Sequence, residues 1–490
     1  MPHRSLSGCR PNPPGAMPRT PFDLAREGGR QSGLVLLLAA VLSACSIGDP
    51  YQRPETPVPA AWSAAERAAV WPAPEWWRGF GSPQLDRLMA QAGTDNFDLA
   101  VAVAKLRAAQ AQLRVAGASL WPDLTADASG TRQRASMTAS PSATARKPVY
   151  SSSYSATLGA SYELDFWGKN QAGVESAQAL LDASGFDYQT AVLSMQASVA
   201  STYFDILGTQ ERLRLARESL ANAEAVLAVY RDRFTAGTAT SLDVAQQESV
   251  VATQRATVPP LEQSLQQSRN ALAILVGRLP EALDLAPETI DAVRVPAVGP
   301  GLPSELLARR PDVLSAEANL RGANADVTVA RAAWFPSISL TGQAGFQSVD
   351  LAKMMTHQSL LASIGPSLTV PLFDGGKIAG TVEQKKAIRE QLVQTYRKTV
   401  YSAFSDVENA LVGLQKTSEE EQAEIAAEAT ARRAFTLTQD LMSGGTVDIS
   451  SVLNTQKTWF SAQDALAQAR AARLKAAVTL FNALGGGWSQ

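Results

Sequence analysis

The sequence predicts a mainly helical fold with a transmembrane β-barrel contribution, built as two tandem repeats of a β-hairpin plus long coiled helices. Three observations predict it. The first is an internal duplication. Leu106-Arg107 followed by Trp121-Pro122 recurs as Leu320-Arg321 followed by Phe335-Pro336, and Ala236-Gly237-Thr238 recurs as Gly444-Gly445-Thr446. Leu164-Asp165-Phe166-Trp167-Gly168 recurs loosely as Pro371-Leu372-Phe373-Asp374-Gly375. The second is the absence of proline from 149–258 and 372–490, which leaves room for very long helices. The third is a set of strand-length segments in which apolar and polar residues alternate.

Composition narrows the function classes. Of 490 residues 45% are apolar, enough for a sizeable core, and only 18% are charged. Lys plus Arg is 44 and Asp plus Glu 46, a formal net charge of −2, so nothing favours nucleic acid as a partner. Two His and two Cys leave little for a His-based triad, a zinc site or a disulfide framework, and no nucleophile–base constellation appears. The chain is expected to be no enzyme and to need no cofactor beyond a covalent lipid.

That lipid is read from the amino terminus. Residues 1–44 form a signal peptide, with Arg26 and Arg30 preceding the apolar run Leu34–Leu42. The run leads into Leu42-Ser43-Ala44-Cys45, which resembles a bacterial lipobox with Cys45 as the acylated first mature residue. Met17 is a second candidate start. For such a lipobox, the family rule takes Ser46 after the cysteine to imply sorting to the outer membrane.

Residues 45–75 then form a proline-rich, lipid-anchored linker tethering the first copy. The first repeat spans 76–284, a proline-rich inter-repeat linker 285–311, and the second repeat 312–490. In the first repeat Ala177, Leu181, Ser184, Tyr188, Ala191, Met195, Val199, Tyr203 and Ile206 recur at steps of three and four, the seam of a long helix. Lys169–Thr235 and Lys377–Ser443 are both 67 residues long; at 1.5 Å per residue each reaches ~100 Å.

Strands are expected near 122–132, 152–167, 336–348 and 360–373. Leu124, Ala126 and Ala128 alternate with polar neighbours in the first, and the even residues Tyr154 to Phe166 do so in the second. Ile338 to Phe346 and Ile364 to Leu372 repeat the pattern in the second copy. Apolar-out, polar-in segments of this length suit a membrane barrel. Trp121, Phe166, Trp167, Trp334, Phe335 and Phe373 gather where strands meet helices and read as an interfacial girdle. Four strands cannot close a barrel, so membranous strands demand two or three copies at least.

With these features in place, the chain resembles the lipoprotein branch of the TolC-like outer-membrane efflux proteins, the NodT family. The resemblance rests on the lipobox, Trp76-Trp77-Arg78-Gly79-Phe80, the doubled hairpin-and-helix unit and the ending Ala483-Leu484-Gly485-Gly486-Gly487-Trp488. It implies a homotrimer with a twelve-stranded barrel and a helical periplasmic tunnel. The implied partners are a periplasmic adaptor protein and an inner-membrane efflux pump, commonly of the resistance-nodulation-division class, and the cargo is drugs or toxic small molecules. A duct for type I protein secretion and a non-pore scaffolding lipoprotein are the alternatives.

The resemblance also implies two site groups. Ala236, Gly237, Thr238, Gly444, Gly445 and Thr446 would form the adaptor-contacting tips, where the helices reverse. Asp243, Ser451, Asn454 and Lys457 would form the periplasmic gate, with Asn454 standing where relatives carry a carboxylate. Glu419-Glu420-Glu421 reads as a solvated helix face, and His357 as a residue of a surface loop.

Overall fold

In the computed structural model the described residues are 47–62, 71–134, 136, 150–299, 301 and 303–488. The expected signal peptide and Cys45 lie outside them.

Each copy runs helix, hairpin, long helix, return helix, as the repeat predicts. The first contains α1 (Pro83–Asp95), α2 (Phe97–Ala118), β1 (Asp123–Arg134), β2 (Tyr150–Leu164), α3 (Lys169–Thr235) and α4 (Ser241–Leu275). A short α5 (Pro303–Arg309) follows in the linker. The second copy contains α6 (Pro311–Ala332), β3 (Ser337–Ser348), β4 (Leu360–Thr369), α7 (Lys377–Ser443) and α8 (Ile449–Ala483). The two long helices have 67 residues each and the two return helices 35 each.

The four strands make one antiparallel sheet in the order β1-β2-β3-β4, so the central β2–β3 pairing fuses the two copies. Its register carries the expected alternation across all strands. Leu124, Ala160, Gly342 and Ile364 form one row, and Ala126, Leu158, Ala344 and Ala362 the next. The opposite face carries Thr125, Gly159, Gln343 and Ser363, then Asp127 and Thr157. A one-residue slip would exchange the two faces, so this agreement fixes the register. The apolar face is bare: Leu124, Leu158, Leu360, Ile364 and Leu368 are all exposed. Among the described residues no helix is long and apolar enough to cross a membrane.

Two strand ends differ from expectation. β4 stops at Thr369, leaving Val370 and Leu372 outside it, because Pro371 has no N–H to donate to a ladder. β2 ends at Leu164, where Asp165 turns aside to accept the Gln171 amide at 2.8 Å in the first turn of α3. The return helix α4 continues through Pro259 and Pro260. Proline usually breaks a helix by removing a donor and crowding the carbonyl four residues back. Here both prolines are exposed, so water can satisfy the freed carbonyls.

The core sits at the waist, where Trp76 to Phe80, the end of α8 and the inter-repeat linker pack on the long helices. Trp76 stacks on Phe481 at 4.9 Å between ring centroids, and Phe80 meets Phe204 at 5.0 Å. In the long-helix seam Ala177, Met195, Val199, Tyr203 and Ile206 are buried. A polar knot holds the linker to this core. Tyr203 Oη and Ser82 Oγ, the latter at 2.7 Å, both donate to the Glu288 carboxylate, and the Ser82 oxygen also caps α1 by accepting the Leu85 amide. Burial pushes the Tyr203 phenol up, so it remains a neutral donor. Tyr203→Phe leaves the half-buried carboxylate one donor short and is expected to cost ~1–3 kcal/mol, read as a lower thermal midpoint of the purified protein.

The amino-terminal linker is not a loose tether of the first copy. It is clamped to α6 of the second. Arg53 pairs with Glu317, Asn324 Nδ2 donates to the Asp49 carbonyl at 3.0 Å, and Arg331 pairs with the Asp49 carboxylate at 2.9 Å. Arg331 lies one helical turn before Phe335 of the expected girdle, with three residues between them. The linker therefore runs toward the sheet end of the helices, bringing Ile47 and Asp49 beside Arg331 to the level where strands begin.

Candidate functional site: the two hairpin tips

At the end of the long helices farthest from the sheet, α3 reverses into α4 and α7 into α8. Both reversals use the same device. The residue after the C-cap is a glycine of positive φ, Gly237 at 71° and Gly445 at 72°, a conformation a side chain resists. The Thr238 amide then donates to the Arg233 carbonyl at 2.8 Å, and the Thr446 amide to the Leu441 carbonyl at 3.0 Å. These bonds satisfy carbonyls that a helix end would leave orphaned. All six tip residues named from sequence, Ala236, Gly237, Thr238, Gly444, Gly445 and Thr446, are exposed.

The return helices start with mirrored caps. In α4, Thr240 Oγ1 accepts the Asp243 amide at 3.2 Å, and Asp243 Oδ2 accepts the Thr240 amide at 2.7 Å, a complete capping box. In α8, Asp448 Oδ1 accepts from the Ser451 amide at 3.1 Å and from its hydroxyl at 2.7 Å. The hydroxyl and the carboxylate have exchanged places between the two copies. Ser451 is thus the counterpart of Asp243, while Asn454 lies one turn further along. The second tip keeps a carboxylate, Asp448, which the sequence reading passed over. Its signal was available, since an Asp three residues before a Ser at a helix start is an N-cap pattern. Hydrogen bonds from the Ser451 hydroxyl and then its backbone N–H hold the Asp448 carboxyl below the usual carboxylate range.

The four residues expected at the gate do not converge within one chain. Asp243 and Ser451 are engaged by their own caps, and Asn454 and Lys457 are exposed on α8. No hydrogen bond or ion pair among the described residues joins Asp243 to Asn454 or Lys457. Among the described residues the tips are linked by a different pair: Tyr230 Oη near the end of α3 donates to Met442 Sδ near the end of α7, at 3.0 Å.

The two hairpins are fastened by different residue pairs. Between α3 and α4 run three exposed ion pairs, Arg217–Glu262, Arg231–Glu248 and Arg255–Glu224, each at 2.7 Å. Exposed pairs of this kind contribute at most ~1 kcal/mol each. Between α7 and α8, Phe435 stacks on Trp459 at 5.2 Å, and Trp459 Nε1 donates to Glu428 at 2.9 Å. Buried glutamines sit in both seams. Gln247 Nε2 reaches the Ala223 carbonyl at 2.8 Å, whereas neither amide atom of Gln456 has a partner. Higher up, Arg212–Asp464 and Lys475–Asp205 tie α3 to α8 and so join the copies. Of the acidic run, Glu419 is solvated beside Lys416, but Glu421 is largely buried and paired with Arg473 at 2.6 Å. Helix periodicity turns that one side chain from the solvent toward α8. His357 lies in the exposed β3–β4 loop, as expected. Among the described residues no cluster of three or more His, Cys, Asp or Glu could hold a metal ion.

A sheet with one bare apolar face, continued by paired ~100 Å helices that end in glycine turns, is an architecture known from other proteins. A pyoverdine export outer membrane protein, OpmQ of Pseudomonas aeruginosa, is 42% identical over 438 residues, covering 88% of this chain and 91% of that protein. The toluene efflux pump outer membrane protein TtgC of Pseudomonas putida is 34% identical, covering 92% of this chain and 94% of that one. The crystal structure of the Campylobacter jejuni CmeC outer membrane channel superposes with a TM-score of 0.84 at 25% identity, covering 91% of this chain and 96% of that one. Residues 88–278 and 302–486 match the family described as outer membrane efflux protein, one segment for each structural copy, and the chain belongs to that family.

Proposed function

We propose that the protein is the outer-membrane duct of a tripartite efflux system, a homotrimer anchored through acylated Cys45 and exporting small organic molecules. The observation that carries this reading is the sheet. Its apolar face is exposed on strands whose outer edges, β1 and β4, have no partner among the described residues. Open edges are not tolerated in lipid, and three such sheets make a closed barrel of twelve strands. The polar face then lines a bore of Ser, Thr and Gln with no catalytic role. The exposed tips are the surface offered to a periplasmic adaptor, and beyond it to an inner-membrane pump that supplies the energy. The names of the relatives, which mention pyoverdine and toluene, agree with an organic cargo rather than a polypeptide. The gate is a ring in which Asp243 of each protomer faces polar groups of the second tip, with Asn454 and Lys457 the candidates on α8.

Planar-bilayer recordings of the purified, lipidated protein test this. Discrete conductance steps are the expected result, and a silent bilayer marks a scaffold instead. Asp243→Ala removes both the capping box and the gate charge, and it is expected to raise closed-state conductance several-fold. Unchanged conductance together with unchanged antibiotic entry into cells would refute the gate assignment while leaving the duct intact.

A further inference from the structure

The first hairpin separates its charge along the membrane normal. Asp123 and Glu163 lie at its periplasmic end and Asp127 four residues further in, and the charged residues of the strands beyond Asp127 are Arg132 and Arg134, both basic. The register shows which way the first two point. Arg132 pairs with Ser152 and Arg134 with Tyr150, both on the even-numbered face that carries Leu124, Ala126 and Ala128 below. These arginines therefore stand on the outside of the sheet rather than in the bore.

Their height is set by strand geometry. From Asp123 to Arg132 is nine steps, about 30 Å along a strand and roughly 23 Å along the normal at a 40° tilt. That matches the ~25 Å apolar band of outer-membrane barrels. Arg132 and Arg134 begin where the band ends. Tyr154 and Tyr150 occupy the same rim, and the Arg132 guanidinium lies 5.6 Å from the Tyr150 ring centroid. Stacking on an aromatic face orients the guanidinium and leaves its N–H groups available. Both arginines are exposed, and among the described residues neither is paired with a carboxylate.

We propose that Arg132 and Arg134 form a site for lipid-borne phosphate, the phosphorylated glucosamine headgroup of outer-leaflet glycolipid, on the outer rim of the barrel. Guanidinium forks suit phosphate oxygens, and the spacing of two residues on one face lets both reach a single headgroup. The inference rests on the outward orientation of the apolar face. Acyl chains of the same lipid would cover Ala128, Ala156 and Phe346, two rows beneath Arg132 on the same face.

The test uses the full-length trimer in detergent micelles and native mass spectrometry with diphosphoryl lipid A, its dephosphorylated form and inorganic phosphate. Diphosphoryl lipid A is expected to bind at least about tenfold more tightly than the dephosphorylated lipid, as loss of charge-assisted bonds implies. R132Q/R134Q is expected to remove that difference and R132K/R134K to keep most of it. R132Q/Q133R preserves total charge but turns one arginine into the bore, and it is expected to weaken binding as a neutral substitution does. Equal binding of both lipids, or full retention by R132Q/R134Q, overturns the proposal. Displacement of the lipid by an equal concentration of inorganic phosphate overturns the lipid source. Loss of trimer in the Gln variants but not in the Lys variants supports a lipid-dependent rim. A wild-type trimer that fails to insert into bilayers instead refutes the membrane reading beneath it.

Discussion

Leu158→Arg is expected to abolish accumulation of the protein in the outer membrane, whereas Thr157→Arg is expected to leave it largely intact. The two positions are adjacent, yet they face opposite ways. Leu158 sits in the row Ala126, Leu158, Ala344, Ala362, near mid-height of the apolar face. An arginine on the lipid face at that depth costs ~2–4 kcal/mol per protomer, and a closed ring multiplies it by the number of copies. Thr157 pairs with Asp127 on the polar face, so an arginine there enters water beside a carboxylate. Heat-modifiable oligomer in outer-membrane fractions reads the contrast on a gel. Equal yields of the two variants would show that the even-numbered face is not the lipid face.

The second large effect is structural. Gly277→Ala is expected to destabilise the protein by ~2–5 kcal/mol. Gly277 ends α4 at φ 69°, with the Arg278 amide closing onto the Ala273 carbonyl at 2.8 Å. A Cβ at this position would lie 2.2 Å from the Asp95 carbonyl oxygen and 2.7 Å from its carbon, so backbone must move. The left-handed conformation alone costs ~1–2 kcal/mol, and overpacking adds ~1–3 kcal/mol. Gly81→Ala isolates the first contribution, since φ is 71° there and nothing lies within 4 Å. Thermal midpoints should fall in the order wild type, Gly81→Ala, Gly277→Ala. If the two variants melt together, the close approach at Asp95 is not what the site depends on.

That pair shows where sequence reading succeeds and stops. The duplication, the matched 67-residue helices and the sheet faces were legible because each is a local period repeated many times, so single exceptions do not blur it. The glycine turns at the tips were legible for a similar reason, since the turn chemistry recurs once per copy. Contacts between distant segments leave no such trace. Nothing local distinguishes Glu421 from Glu419, yet only Glu421 meets Arg473 across the helix pair. The clamp of Asp49 and Arg53 on α6 joins residues more than 250 apart in sequence, and a proline-rich stretch reads as a free tether until that partner is seen. At the tips, the family position falls on Asn454, whereas the carboxylate is Asp448, marked in the sequence by its N-cap pattern.

The equal lengths of the paired helices carry a demand of their own. Each residue added to an α-helix advances its end by ~1.5 Å and turns it by ~100°. With α3 and α7 matched residue for residue, and α4 and α8 matched likewise, both glycine turns arrive at one level and in one phase. A single-residue insertion in α3 would lift one tip above its neighbour and swing Tyr230 away from Met442. The tunnel is in this sense a vernier, whose length can change only by whole heptads entered in all four helices together, and descent within such a family is therefore constrained in length more tightly than in side chain.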